Sequence, residues 1–125
     1  MLVEDNEVNQ LLIQSILEGW KLTATYANDG LQAMERFHNG NYDLVLLDIQ
    51  MPYMDGFEVA KAIRNDSNAA RRVVPIIALT ADALHETREK CFEYGMDDVV
   101  LKPISLEILH AAIKRAINKM FVFQI

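Results

Sequence analysis

The sequence predicts an α/β protein: a doubly wound, five-stranded parallel sheet with helices on both faces. Three observations carry this. Along the 125 residues, short apolar runs alternate five times with stretches of helical character, and strand–helix alternation of this kind builds parallel sheets. The run Leu44-Val45-Leu46-Leu47 is apolar without interruption, as befits a strand covered on both faces. Right-handed crossovers then leave only a few doubly wound topologies.

Taken in order, Met1-Leu2-Val3 is a short apolar opening, cut off by the acidic loop Glu4-Asp5-Asn6. A first helix is predicted over about 7–18. Val8, Leu11, Leu12, Ser15 and Ile16 share a face of it, and Gly19 supplies its stop. Residues 22–27 read as a second strand, and Asn28-Asp29-Gly30 as a turn. A second helix over 31–38 places Ala33 and Phe37 one turn apart. The central strand 44–47 follows, then Asp48 and a loop broken by Pro52 and Gly56. A third helix over 57–64 buries Val59, Ala60 and Ile63, and 65–72 is polar loop, its Arg71-Arg72 pair solvated. Residues 74–79 form a fourth strand, with Pro75 tolerable only near its start. It ends in Thr80-Ala81-Asp82, ahead of a fourth helix over 83–94 closed by Gly95. Val99-Val100-Leu101 is a fifth strand, ending in Lys102-Pro103. Ser105 can cap a last helix, whose face is Leu106, Leu109, Ile113, Ala116, Ile117 and Met120.

Length and a single apolar pattern imply one domain. The net charge of −6 and the lack of a basic stripe argue against direct nucleic-acid binding. The lone Cys91 excludes an internal disulfide and fits helix packing in a reducing compartment. No signal peptide or membrane span is evident, so the cytoplasm is the expected location and no membrane contact is expected.

The chemistry lies in the residues at the carboxyl end of each strand. Strand one leads into Glu4 and Asp5, strand three into Asp48, strand four into Thr80 and strand five into Lys102. A parallel sheet brings all of these to one edge, where open α/β sheets place their ligand sites. Three adjacent carboxylates raise one another's pKa unless a cation joins them. Oxygen-only ligands suit Mg²⁺, which prefers a phosphate as partner. Lys102 can hold an anionic group, and Thr80 can donate a hydrogen bond to a phosphoryl oxygen. Asp48 is then a carboxylate nucleophile beside a metal. Each residue also has a plainer role: helix-start acids for Glu4 and Asp5, caps or turns for Asp48 and Thr80, a surface charge for Lys102. It is their joint placement at four strand ends that favours a site.

With those residues in view, the chain resembles a response-regulator receiver domain of two-component signalling. The resemblance rests on Glu4-Asp5-Asn6, Asp48 with Met51-Pro52 and Asp55-Gly56, Thr80-Ala81 and Lys102-Pro103, and covers nearly the whole chain. It implies the flavodoxin-like strand order 2-1-3-4-5, an order the general rule for such sheets illustrates with a receiver. It also implies that Asp48 is the phosphoacceptor and that Asp5 and Asp48 ligate Mg²⁺ directly. Glu4 would do so through water, and Gln50 by its backbone carbonyl. Lys102 would pair with the phosphoryl group, Thr80 would report it by moving, and the Lys102–Pro103 bond would be cis. The wording around Asp48 and Thr80 resembles receivers of hybrid histidine kinases, which implies a phospho-His on a histidine kinase or phosphotransfer domain as partner. The domain would not be a multiple-turnover enzyme, and would act as a monomer or weak dimer. In outline it occupies 1–119, followed by an apolar tail over 120–125 that could cover a sheet edge or pair between chains.

Three features depart from the family pattern, the apolar tail over 120–125 being one. Receivers usually carry an aromatic residue three positions before the lysine, where this chain has Val99. The apolar run before the acid pair is also shorter than usual, as if the first strand were clipped. Other functions fit less well. A haloacid-dehalogenase-like phosphatase would want a second Asp where Gln50 stands. A flavodoxin-like mononucleotide binder would want a Ser/Thr/Gly-rich loop where Glu4-Asp5 would repel phosphate. A scaffold of the same fold that works without phosphorylation is the remaining alternative. His38, His85 and His110 are expected to be isolated and not metal ligands.

Overall fold

The computed structural model describes the backbone of residues 1–122 and the side chains of residues 1–118. The apolar segment expected over 120–125, and Met120 of the last helix, lie outside the residues whose side chains are described. The chain forms β1 (Leu2–Val3), α1 (Glu7–Gly19), β2 (Tyr26–Ala27), α2 (Gly30–His38), β3 (Val45–Asp48), α3 (Gly56–Arg64), β4 (Ile76–Thr80), α4 (His85–Glu93), β5 (Asp98–Leu101) and α5 (Leu106–Val122). All strand pairs are parallel and the order is β2-β1-β3-β4-β5, as the family resemblance implies. A single 3₁₀ turn, Arg71–Val73, interrupts the loop before β4.

The period of two along the strands divides the core into two layers. Leu2, Leu46, Ile77, Leu79 and Val100 pack against Ile13 and Leu17 of α1 and Leu109, Ala112, Ile113 and Ala116 of α5. Val3, Val45, Leu47, Ile76 and Ala78 point the other way. They meet Ala33 and Phe37 of α2, Val59, Ala60 and Ile63 of α3, and Cys91 of α4. Every residue of β3 and β4 is buried, which is why both are apolar up to their last residues, Asp48 and Thr80. Register sets Leu47 beside Val3 and Ala78, and Asp48 beside Leu79. The carboxyl ends of β1, β3, β4 and β5 therefore lie along one edge.

Three sequence expectations change. The apolar face assigned to α1 is not the buried one: Val8, Leu11 and Leu12 are 74%, 64% and 46% exposed, and Ser15 is exposed too. Ile13 and Leu17 face the sheet instead, with Ile16 at the margin. The helix carries two apolar stripes, and periodicity cannot say which one turns inward. Its rotation is fixed by entry from β1 through the Asn6 cap, whose side chain accepts the Asn9 N–H at 3.0 Å. The second strand shrinks from 22–27 to Tyr26–Ala27. The Leu22 N–H still closes α1 by donating to the Leu17 carbonyl at 3.0 Å, after Lys21 in a left-handed conformation at φ 60. Only the last two residues then reach the short β1. On α5, Leu106 is 53% exposed while Ala112 is fully buried, because the inward stripe begins one turn later, at Leu109. Asp29 caps α2 by accepting the Gln32 N–H and Asp55 caps α3 by accepting the Glu58 N–H, and at the expected Ser105 cap the Ile108 N–H approaches Oγ at 3.5 Å.

The histidines are less solitary than expected. His38 Nδ1 lies 3.3 Å from the buried carboxylate of Asp66, His85 meets Glu89 at 2.8 Å, and His110 packs on Trp20 with ring centres 4.9 Å apart. Among the described residues, the one grouping of three candidate ligands contains no histidine. Cys91 is fully buried, as expected.

Candidate functional site

Each candidate residue sits where its strand leaves the sheet. Glu4 follows β1, Asp48 and Thr80 are the final residues of β3 and β4, and Lys102 follows β5. The structure brings them together. Lys102 Nζ lies 3.0 Å from Glu4 Oε2 and 3.2 Å from Asp48 Oδ2, joining residues far apart in the chain. One oxygen each from Glu4, Asp5 and Asp48 all lie within 4.8 Å of one another. Glu4, Asp48 and Thr80 are only 1%, 3% and 1% exposed, whereas Asp5 faces solvent. The site is thus a buried acid pair with one exposed carboxylate at its mouth.

The backbone holds this arrangement. The Gln50 N–H donates to Asp48 Oδ1 at 3.2 Å, fixing the carboxylate's direction, and the Asn6 N–H donates to Glu4 Oε1 at 3.3 Å. The Lys102 N–H donates to the Thr80 carbonyl at 2.7 Å, in the register where Thr80 pairs with Leu101. The Lys102–Pro103 bond is cis. The loop after β3 turns back closely: the Gly56 N–H donates to the Ile49 carbonyl at 2.8 Å. A Cβ at Gly56 would stand 2.6 Å from the Asp48 carbonyl oxygen, so only glycine permits that approach.

Electrostatics follow from two buried carboxylates sharing one ammonium. Burial, and then the charge of Glu4, push the Asp48 carboxyl up from its usual 3.8 to about 7, with Lys102 opposing them. For Lys102, burial pulls the pKa down, but its contacts with Glu4 and Asp48 outweigh that and leave it raised. Glu4 Oε2 is buried without a well-directed hydrogen bond, despite Nζ at 3.0 Å. An acid cluster in excess of its cation, with one orphaned buried oxygen, suits a small hard divalent ion.

An open cleft of about 410 Å³ lies over these groups, bounded by Asp5, Gln50, Met51, Thr80, Asp82 and Thr87. Sequence reasoning alone misses Asp82 and Thr87. Asp82 Oδ2 accepts the Thr87 hydroxyl at 2.7 Å, and the Asp82 N–H donates to Thr80 Oγ1 at 3.0 Å. The available signal is an Asp at a strand end with a Thr in the first turn of the next helix, a capping arrangement.

The family model for the response regulator receiver domain matches residues 1–114. The chain belongs to the receiver-domain family. Its curated relatives include the autoinducer 2 sensor kinase/phosphatase LuxQ of Vibrio cholerae, 39% identical over 114 residues, and the hybrid signal transduction histidine kinase I of Dictyostelium discoideum, 40% identical over 124. The matches cover 91% and 95% of this receiver but only 13% and 7% of those proteins. A solved structure of the receiver domain of sensor histidine kinase PA1611 from Pseudomonas aeruginosa, with a magnesium ion in its active-site cleft, superposes with TM-score 0.84 at 39% identity, covering 94% of both chains. The chemotaxis protein CheY4 of Vibrio cholerae superposes with TM-score 0.85 at 26% identity, covering 92% of this chain and 94% of that one. This receiver is therefore a module of two-component signalling, similar to receivers of hybrid histidine kinases. No helix among its described residues is long and apolar enough to cross a membrane.

Proposed function

We propose that this receiver accepts a phosphoryl group on Asp48 from a phospho-His of a histidine kinase or phosphotransfer domain. The observation that carries the reading is the placement of Asp48: nearly buried at the end of β3, 3.2 Å from Lys102 Nζ and beside Glu4 and Asp5. An Asp48 carboxylate oxygen attacks phosphorus, the phosphorus–nitrogen bond breaks, and its electron pair leaves with the imidazole, which takes up a proton from water. The product is an acyl phosphate. Lys102 neutralises the incoming phosphoryl oxygens, and the Thr80 hydroxyl donates a hydrogen bond to one of them. The Gln50 N–H holds one oxygen of the attacking carboxylate. Asp5 and Asp48 would hold Mg²⁺ directly, Glu4 through water and Gln50 through its backbone carbonyl. When bound, that ion offsets the charge of the transferring group.

The domain is consumed and regenerated as a signalling switch and turns over no small substrate. Receiver function is assigned to 1–119, with 120–125 as an appended tail. The acidic chain meets its partners as a monomer or weak dimer in the cytoplasm and contacts neither nucleic acid nor lipid. The relatives' hybrid-kinase architecture supports a partner histidine.

Intact mass after incubation with acetyl phosphate and Mg²⁺ tests the reading. One added phosphoryl group is expected, absent without Mg²⁺ and absent in Asp48→Asn. Unchanged mass with both acetyl phosphate and a phosphorylated histidine phosphotransfer domain would leave the phosphorylation-independent scaffold as the better description.

A further inference from the structure

We propose that Gln10 is a positioning residue for Mg²⁺: its side-chain amide, anchored on Asn28, sets the direction in which Asp5 meets the ion. The inference rests on the phosphoacceptor reading and names a residue outside the acid cluster that governs its affinity for metal.

Asp5 is the exposed carboxylate at the mouth of the site, so its direction comes from the backbone that carries it. That backbone leaves β1 at Glu4. The Glu4 N–H donates to the carbonyl of Ala27, the last residue of β2, at 3.1 Å. The Glu4 carbonyl shares a rigid peptide plane with the Asp5 N–H, and it accepts from Gln10 Nε2 at 3.4 Å. The same nitrogen donates to Asn28 Oδ1 at 3.1 Å. A side-chain amide nitrogen carries two hydrogens. Half-buried Gln10 uses both to join the loop after β1 to the loop after β2.

Both ends of this clip are held. Gln10 stands in the first turns of α1, where its N–H donates to the Asn6 carbonyl at 2.9 Å. Asn28 is held from α2. Its N–H donates to Gln32 Oε1 at 3.0 Å, Arg36 Nη1 donates to the same oxygen at 2.8 Å, and the Gln32 N–H is taken by Asp29. Two helices therefore fix the one peptide from which Asp5 projects. Mg²⁺ demands nearly ideal octahedral geometry, and groups one contact removed from its ligands set affinity by orienting them. Gln10 is uncharged, so its effect on the ion is one of direction. Without it, the Glu4–Asp5 peptide loses the bond that fixes its plane, and Asp5 must be ordered as the ion arrives.

Isothermal titration of the whole chain with Mg²⁺ alone tests this. Gln10→Met keeps the length of the side chain and removes both donors. Its Mg²⁺ dissociation constant is expected to rise about fivefold, the effect of one ordinary hydrogen bond. Asn28→Ala releases the clip from its other side and should weaken binding in the same direction. It also carries the test if the methionine variant folds poorly. The double variant should bind no more weakly than Gln10→Met, because both changes open the same clip. With acetyl phosphate, the Mg²⁺ concentration giving half the maximal rate should rise in step with the dissociation constant. The rate at saturating Mg²⁺ should stay within about twofold of the parent, a split that a merely structural role would not produce. Unchanged Mg²⁺ affinity in either single variant, additive losses in the double variant, or a lower saturating rate at unchanged half-saturation overturns the positioning role alone. Mg²⁺ binding by the unaltered chain without phosphorylation overturns the phosphoacceptor reading, while the titrations still decide the role of Gln10. No Mg²⁺ binding by the unaltered chain overturns both.

Discussion

Asp48→Asn should stabilise the metal-free protein at pH 8 and do so by less than half as much at pH 5. In the fold, Asp48 and Glu4 share one ammonium, and Asp48 titrates at about 7 against 3.8 for the unperturbed group. A carboxyl whose folded pKa is raised favours the native state fully below about 3.8. That contribution is lost as pH rises to about 7, because the unfolded chain releases the proton first. At about 1.36 kcal/mol per pKa unit the whole loss has a ceiling of about 4 kcal/mol. Relaxation around the site and water entry reduce this to about 2 kcal/mol. Asparagine has nearly the same shape, keeps an oxygen for the Gln50 N–H and leaves a neutral Glu4–Lys102 pair. Urea unfolding in EDTA, followed by the fluorescence of the single Trp20, gives the two stabilities at each pH. Mg²⁺ at a hundredfold its dissociation constant should return about 2.7 kcal/mol to the unaltered chain, and much less to the variant. The reasoning fails if Asp48→Asn is no more stable than the parent at pH 8, or if the difference is the same at pH 5.

Lys102→Met leaves two buried carboxylates without their cation. A loss of about 3 kcal/mol is expected in metal-free protein at pH 8, measured by the same urea transition and partly recovered with Mg²⁺. Gly56→Ala would press a Cβ against the Asp48 carbonyl at 2.6 Å and Ile49 Cα at 2.7 Å. It should cost about 2 kcal/mol or more, and thermal unfolding would refute this by showing an unchanged midpoint. Cys91 is fully buried and its thiol is pushed up, chiefly by burial. A colorimetric disulfide reagent should label it only as fast as the protein opens, so immediate reaction in native buffer would contradict the packing described.

Much of the fold is legible in the sequence because its signals are local. The uninterrupted apolar residues of β3 and β4 announce strands buried on both faces. The Pro/Gly breaks locate their ends, and Asn28-Asp29-Gly30 and Asp55-Gly56 mark the turns from which α2 and α3 start. The strand-end residues Glu4, Asp5, Asp48, Thr80 and Lys102 are legible for the same reason: parallel strands send every carboxyl end to one edge. Less legible are elements that depend on a neighbour. The two apolar stripes of α1 are equivalent by periodicity, and the one that periodicity selects is exposed. β2 is short because β1 offers it so little to pair with.

The sequence by itself determined the order of strands and helices and the chemical groups that gather at the sheet edge, since hydrophobic period, turn residues and strand direction are properties of the chain alone. The tertiary structure decided which face of α1 packs inward and that Lys102 divides its charge between Glu4 and Asp48. It also decided that Asp82 ties Thr80 to Thr87. These outcomes depend on the rotation of one element against another and on how far water is excluded, and both exist only once the layers have closed on the sheet.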